Sequence, residues 1–171
     1  LNSDNIITAL NKKKYEYYLH KHKPLFTVEE SRKLRGEIEG GHSKNLFLKN
    51  KKNDFFLLSS EEADKIDLKK ISKSLGFGNI SFAKEEYLYQ HLKIKPGSVS
   101  PFALLNDLEN MVDFYLEKNL YESELLNFHP LVNTLTITME KHEFIEFMIE
   151  NNKKIHIFSS VENKVLKIYG K

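Results

Sequence analysis

Two short apolar runs, Asn45–Asn50 and Phe55–Ser59, stand either side of Lys51-Lys52-Asn53-Asp54 and leave few ways to fold this stretch. Each run is too short for a stable helix. The charged break between them is a hairpin signature, with a turn longer than the two-residue type. Strand alternation then puts Lys44 on the side of Leu46 and Leu48, opposite Phe47 and Lys49. A lysine sharing a side with two leucines can point into a pocket and hold an anion or polarise a carbonyl. The same position also suits a strand-end lysine that snorkels to water. Asn45 faces the other way unless a bulge intervenes.

Around this hairpin the chain alternates helical and extended segments. Asp4–Lys14 reads as a helix with Ile6, Ile7 and Leu10 on one side, and Tyr15–His20 reads as a strand. Thr27-Val28-Glu29-Glu30 is a capping box that opens a helix to about Glu37, stopped by Gly40-Gly41. Leu68–Leu75 is a helix ended by Gly76. Ser81 caps another through about Leu92, with Phe82, Leu88 and Leu92 as buried positions. The segment Pro96–Pro101 is irregular. Val112–Leu116 and Thr134–Met139 are strands, the second with the alternation of a half-exposed sheet. Lys141–Glu150 is a helix, and Ile155–Phe158 closes the chain as a strand. The spacing lacks the regular rhythm of a doubly wound sheet. The expected fold is therefore mixed α/β, a single domain over residues 1–171 with a curved mixed sheet surrounded by helices.

Composition narrows the chemistry. The 171 residues include no cysteine, which excludes disulfides, thiolate nucleophiles and cysteine-ligated metals. No two of the seven histidines take one-turn ligand spacing with an acid nearby, so neither metal nor cofactor is expected. Leu1-Asn2-Ser3-Asp4 is not the start of a signal peptide, and no apolar run is long enough to span a bilayer. A cytoplasmic chain with no membrane partner is the expectation. The net charge is +2, yet residues 1–100 hold 19 basic and 13 acidic side chains against 7 and 11 in the remainder. Lys12-Lys13-Lys14 and Lys49/Lys51/Lys52 give the first half two basic clusters that could attract a polyanion. No zinc finger, basic zipper or other DNA-binding motif is present.

Walker, serine-elbow and zinc-protease motifs are likewise absent, and Gly76-Phe77-Gly78 is no dinucleotide fingerprint. Two loops remain. Gly97-Ser98-Val99-Ser100-Pro101 supplies successive amides that can face an oxyanion, although such a stretch is also an ordinary surface turn. His129-Pro130-Leu131 precedes a strand, and His129 can orient a substrate or serve structure alone.

In combination these segments are specific. Thr27–Ser31, Leu34-Arg35-Gly36, Gly40–Leu48, Gly97–Phe102, Asn106-Asp107 and His129-Pro130-Leu131 together resemble the YbaK/prolyl-tRNA synthetase-associated editing family, over roughly residues 15–160. Within that family the chain is most similar to the freestanding Ala-tRNA(Pro) deacylase branch, the PrdX type. Asn50 is a small departure, standing where the family often has Asp. The resemblance implies hydrolysis of the ester joining a wrong amino acid to the 3′ end of tRNA(Pro). Lys44 matches the family's essential lysine, Gly97, Ser98, Val99, Ser100 and Pro101 its aminoacyl-cradling loop, and His129 its His-Pro-Leu histidine. Asn45 completes the expected substrate contacts, and Val28, on the capped helix, is a candidate to limit the side chain admitted. The partners implied are the tRNA(Pro) acceptor end and transient encounters with prolyl-tRNA synthetase or an elongation factor. A deacylase for Cys-tRNA(Pro) or Ser/Thr-tRNA, and a non-catalytic module sensing aminoacyl-tRNA or proline, are the alternatives.

Overall fold

A computed structural model describes residues 1–24, 33 and 37–171. The capping box at Thr27, the helix it opens and Val28 lie outside the described residues. Nine strands form one mixed sheet: β1 (Tyr18–Lys21), β2 (Gly41–Asn50), β3 (Phe55–Glu61), β4 (Ile80–Phe82), β5 (Val112–Glu117), β6 (Leu125–Phe128), β7 (Leu135–Glu140), β8 (Ile155–Ser159) and β9 (Lys164–Tyr169). Their order is β1-β7-β6-β2-β3-β5-β8-β9, with β4 paired to the far end of β2. The hairpin β2–β3 is antiparallel, while β3–β5, β5–β8 and β2–β6 are parallel. Antiparallel and parallel pairs are mixed without a regular order because the helices return the chain at irregular intervals, as the sequence spacing indicates.

One face of this sheet carries the main core. Phe47, Leu57, Phe114, Leu126, Phe128 and Ile137 pack there against α1 (Ser3–Lys12), α3 (Glu85–Leu92), a 3-10 turn (Pro101–Asn106) and α5 (Lys141–Glu150). Phe102 is its aromatic centre, meeting Phe128, Phe144 and Phe147 edge-on at about 6 Å. The other face has a smaller apolar cluster. Leu48, Phe56, Leu58, Tyr115 and Phe158 are covered there by Ile71 and Leu75 of α2 (Leu68–Leu75) and by Phe77. A short α4 (Lys118–Glu122) follows β5.

Local signals account for most boundaries. Asn2 and Asn5 cap α1 reciprocally, each side chain accepting from the other's amide. Asp67 accepts from the amides of Lys69 and Lys70 at the start of α2, and Gly76 ends it at φ 70°. In the hairpin turn, the Asn50 side-chain oxygen accepts from the amides of Lys52 and Asp54. Its nitrogen donates to Asp54 Oδ2 at 2.7 Å and to the Phe77 carbonyl at 3.2 Å. An aspartate could not make those two donations, which gives Asn50 a local reason.

Three expectations are corrected. Ser81 lies inside β4 and caps nothing; α3 begins at Glu85, after Lys84. Phe82 is exposed at 62%, because a three-residue edge strand presents it to solvent, whereas Leu88 and Leu92 are buried. β7 is not half-exposed: Thr136 and Thr138 are buried, the first hydroxyl bonded to His22 just after β1 and the second to His20 of β1 and Asn127 of β6. Among the described residues no helix is long and apolar enough to cross a membrane.

Candidate active site

Lys44 sits near the start of β2, directly opposite Ser60 of β3. Its half-buried ammonium donates to the carbonyls of Glu62 (3.4 Å) and Asp64, in the loop that leaves β3. Among the described residues no carboxylate pairs with it. Alternation carries His42 on the same face, and the parallel register His42↔Asn127 extends that face onto β6.

A polar network continues from Asn127. Its side-chain nitrogen donates to the carbonyls of Glu39 (2.9 Å) and Gly41 (3.2 Å), holding the entry to β2. Its side-chain oxygen accepts from the Thr138 hydroxyl, which in turn accepts from His20 Nε2 at 3.0 Å. One turn of the pleat further on, Thr136 lies 2.9 Å from His22 Nε2. His129 follows Asn127 by two residues and belongs to the same face. Its Nδ1 donates to the Leu135 carbonyl at 2.8 Å, which leaves Nε2 an acceptor in the neutral ring. Burial pushes the His129 pKa down, the carbonyl bond opposes that in part, and His22 and His42 add to the lowering. The imidazole is therefore neutral at neutral pH.

Asn45 points the other way, toward the main core, as alternation requires. It accepts from Ser59 Oγ at 2.5 Å and donates to Ser43 Oγ at 3.3 Å, and Ser43 donates to the Asn127 carbonyl. Asn45 thus braces β2 against β3 and β6 and does not share a face with Lys44. The Gly97–Pro101 loop is built as a turn: Gly97 has φ 86°, and the Ser98 amide donates to the Lys95 carbonyl. Ser100 is fully buried, its hydroxyl accepting from the Phe102 amide and its carbonyl from the Ala103 amide. The loop amides not spent in these bonds are those of Gly97, Val99 and Ser100. Val99 packs with the main core, on the side of Asn45, and no hydrogen bond among the described residues links the loop to Lys44. The structure thus brings Lys44 and His129 onto one face and gives Asn45 and the loop to the other.

The network of Asn127, Thr136, Thr138, His20 and His22 escaped sequence reading. Only the Thr alternation of β7 hinted at it. Beside it runs an open groove of about 1050 Å³, lined by Tyr18, His20, Thr138, Glu37, Glu39 and Glu140 among others. Among the described residues no three His, Asp or Glu side chains converge as metal ligands.

A lysine on a central strand of a mixed sheet, with no carboxylate paired to it among the described residues, is placed to meet an anionic or carbonyl-bearing ligand. The chain belongs to the aminoacyl-tRNA editing domain family, whose model matches residues 22–147. It is 34% identical over 148 residues to the prolyl-tRNA editing protein ProX of Acetoanaerobium sticklandii, covering 86% of this chain and 90% of that one. Prolyl-tRNA synthetase associated domain-containing protein 1 of Xenopus laevis is 38% identical over 132 residues, covering 74% and 78%. Among solved structures, a proposed trans-editing enzyme for prolyl-tRNA synthetase shares the fold at TM-score 0.67 and 15% identity, covering 90% of this chain and 93% of that one.

Proposed function

We propose that this protein is a trans-editing deacylase that hydrolyses mischarged Ala-tRNA(Pro). The observation that carries the reading is the ammonium of Lys44, half-buried on a central strand and held, among the described residues, by backbone carbonyls alone. Carbonyl partners cancel less charge than a carboxylate would, so the cation stays available to an oxyanion. Water attacks the ester carbonyl carbon, negative charge builds on the carbonyl oxygen, and Lys44 stabilises it. Collapse expels the ribose 3′ oxygen, which takes up a proton, leaving free alanine and uncharged tRNA. The substrate's vicinal ribose hydroxyl helps position the water. Neutral His129, on the face of Lys44, offers Nε2 as an acceptor, and the Gly97–Pro101 loop, packed on the other face, has no role in this step.

The selectivity has a physical rationale. A synthetase pocket built for proline excludes alanine weakly, since each missing methylene is worth only about 1–3 kcal/mol. A second cavity that admits alanine and rejects proline by size removes the error. Val28 remains the candidate for that limit. The test is deacylation of tRNA(Pro) charged with Ala, Cys, Ser or Pro by purified protein. Fastest release of alanine with proline spared is expected; equal release of all four, or of none, would end the proposal.

A further inference from the structure

Three neighbouring strands place a polar row on the face of Lys44. The register Lys44↔Ser60 joins β2 to β3, and Ser59↔Leu116 in the parallel pair sets Ser60 beside Glu117 of β5. Ser60 is fully buried, yet its hydroxyl has no hydrogen-bond partner among the described residues. Its flanking side chains are engaged elsewhere. Lys44 reaches the carbonyls of Glu62 and Asp64, and the Glu117 carboxylate accepts from the Asn119 amide and from the amide and hydroxyl of Ser160.

A buried hydroxyl without a partner loses its hydration and gains nothing, so packing alone would be served better by alanine. We infer that Ser60 is a substrate-positioning residue of the Lys44 site, its hydroxyl accepting a hydrogen bond from the α-ammonium of the aminoacyl ester. This rests on the deacylase reading above. In the free protein the lysine stem runs along the end of β3 that carries Ser60, toward carbonyls two and four residues further on. On this assignment, moving the ammonium to a substrate is the step that uncovers the hydroxyl. The α-nitrogen is one atom removed from the ester carbonyl carbon, so an ester that meets Lys44 extends its ammonium toward the adjacent strand, about 4.8 Å away. Beyond Ser60 on that side lies the Glu117 carboxylate, a field that suits a cation and disfavours the ester oxygen.

The test is Ser60→Ala. If the hydroxyl serves substrate, kcat/KM on Ala-tRNA(Pro) falls about 5- to 10-fold while Tm stays level or rises, because an orphaned polar group has been removed. Unchanged kcat/KM overturns the assignment and leaves the deacylase reading intact. Binding of 3′-alanylamido-3′-deoxyadenosine, and of its 3′-propionylamido counterpart lacking the amino group, separates the two proposals. Ser60→Ala should weaken the alanyl compound by the same factor and leave the propionyl compound unchanged. Equal effects on both, or none on either, remove Ser60 from the site. Should the native protein hydrolyse no charged tRNA(Pro), the deacylase reading falls, and the two analogues still decide Ser60.

Discussion

His22 and His129 meet over one threonine: their ring centroids lie 6.0 Å apart, and Thr136 Oγ1 is 2.9 Å from His22 Nε2 and 3.5 Å from His129 Nδ1. Two imidazoles this close resist carrying charge together. The folded state depresses the His129 pKa below its ordinary 6.5, chiefly through burial. Below that pH the unfolded chain binds the extra proton first, so stability is full above about 6.5 and is lost as pH falls. Tm should decline between about pH 7 and pH 5, and His129→Gln should flatten that decline. Parallel Tm profiles for the two proteins would remove His129 as a source of acid sensitivity.

Lys44→Ala should lower deacylation of Ala-tRNA(Pro) by about 100-fold or more, the usual cost of losing one oxyanion-stabilising donor. Stability should change by no more than about 1 kcal/mol, since only bonds to loop carbonyls are lost. Lys44→Arg should fail as well, because a planar guanidinium does not fit the place of a compact ammonium between the carbonyls of residues 62 and 64. Single-turnover rates with purified protein measure both. Retained turnover in either variant would move the chemistry elsewhere.

Turnover should be indifferent to EDTA, given the lack of converging ligands among the described residues. Loss of activity on chelation, restored by zinc or magnesium, would require a different mechanism.

Gly40 enters β2 at φ 100°, and a Cβ there would stand 2.6 Å from the Leu125 carbonyl oxygen. The obstacle is backbone, so it cannot swing aside, and the side-chain nitrogen of Asn127 binds the carbonyls on either side of the glycine. Gly40→Ala should cost about 2 kcal/mol or more, a Tm lower by roughly 4–8 °C. A Tm within error of the native protein would show that this entry is more pliant than its geometry.

Lys51 and Lys52 are exposed at the tip of the β2–β3 hairpin, whereas Lys49 leans over the Tyr87 ring. The groove beside the histidines is lined by Glu16, Glu37, Glu39 and Glu140, which oppose a phosphate backbone. The acceptor stem should therefore approach from the hairpin side. Reversing Lys51 and Lys52 to Glu should raise KM for Ala-tRNA(Pro) and reduce its salt dependence, with kcat preserved. An identical KM at two ionic strengths, before and after reversal, would show that the tip faces only solvent.

What was legible in the sequence follows from how each signal arises. α2 and α5 were readable to the residue because Asp67, Gly76 and the Phe144–Met148 stripe act within a turn or two of themselves. The opposed faces of Lys44 and Asn45 follow from strand alternation alone. β6 has four residues and interrupts its apolar run with Asn127, so it carries too little periodicity to stand out. β9 exposes Leu166 and Ile168 beside its lysines, and nothing in that pattern distinguishes an edge strand from a tail. Ser81 is a good capping residue, but pairing with Lys49 holds it extended. The histidine–threonine network and the orphaned hydroxyl of Ser60 depend on strand order and register. Those are properties of the assembled sheet, and no window of sequence contains them.

β2 is hydrogen-bonded along its length to β6, β3 and β4 in turn. Between those end pairings, residues 43–47 pair with β3 alone, so the amides near Lys44 that bond β3 should exchange with deuterium more slowly than those on the strand's other side. A lysine on a mobile loop would wander through many positions between turnovers. Here its backbone is held along one side by β3 and anchored at its two ends by β6 and β4, so motion that adapts the site comes chiefly from the side chain and from the loops that face it.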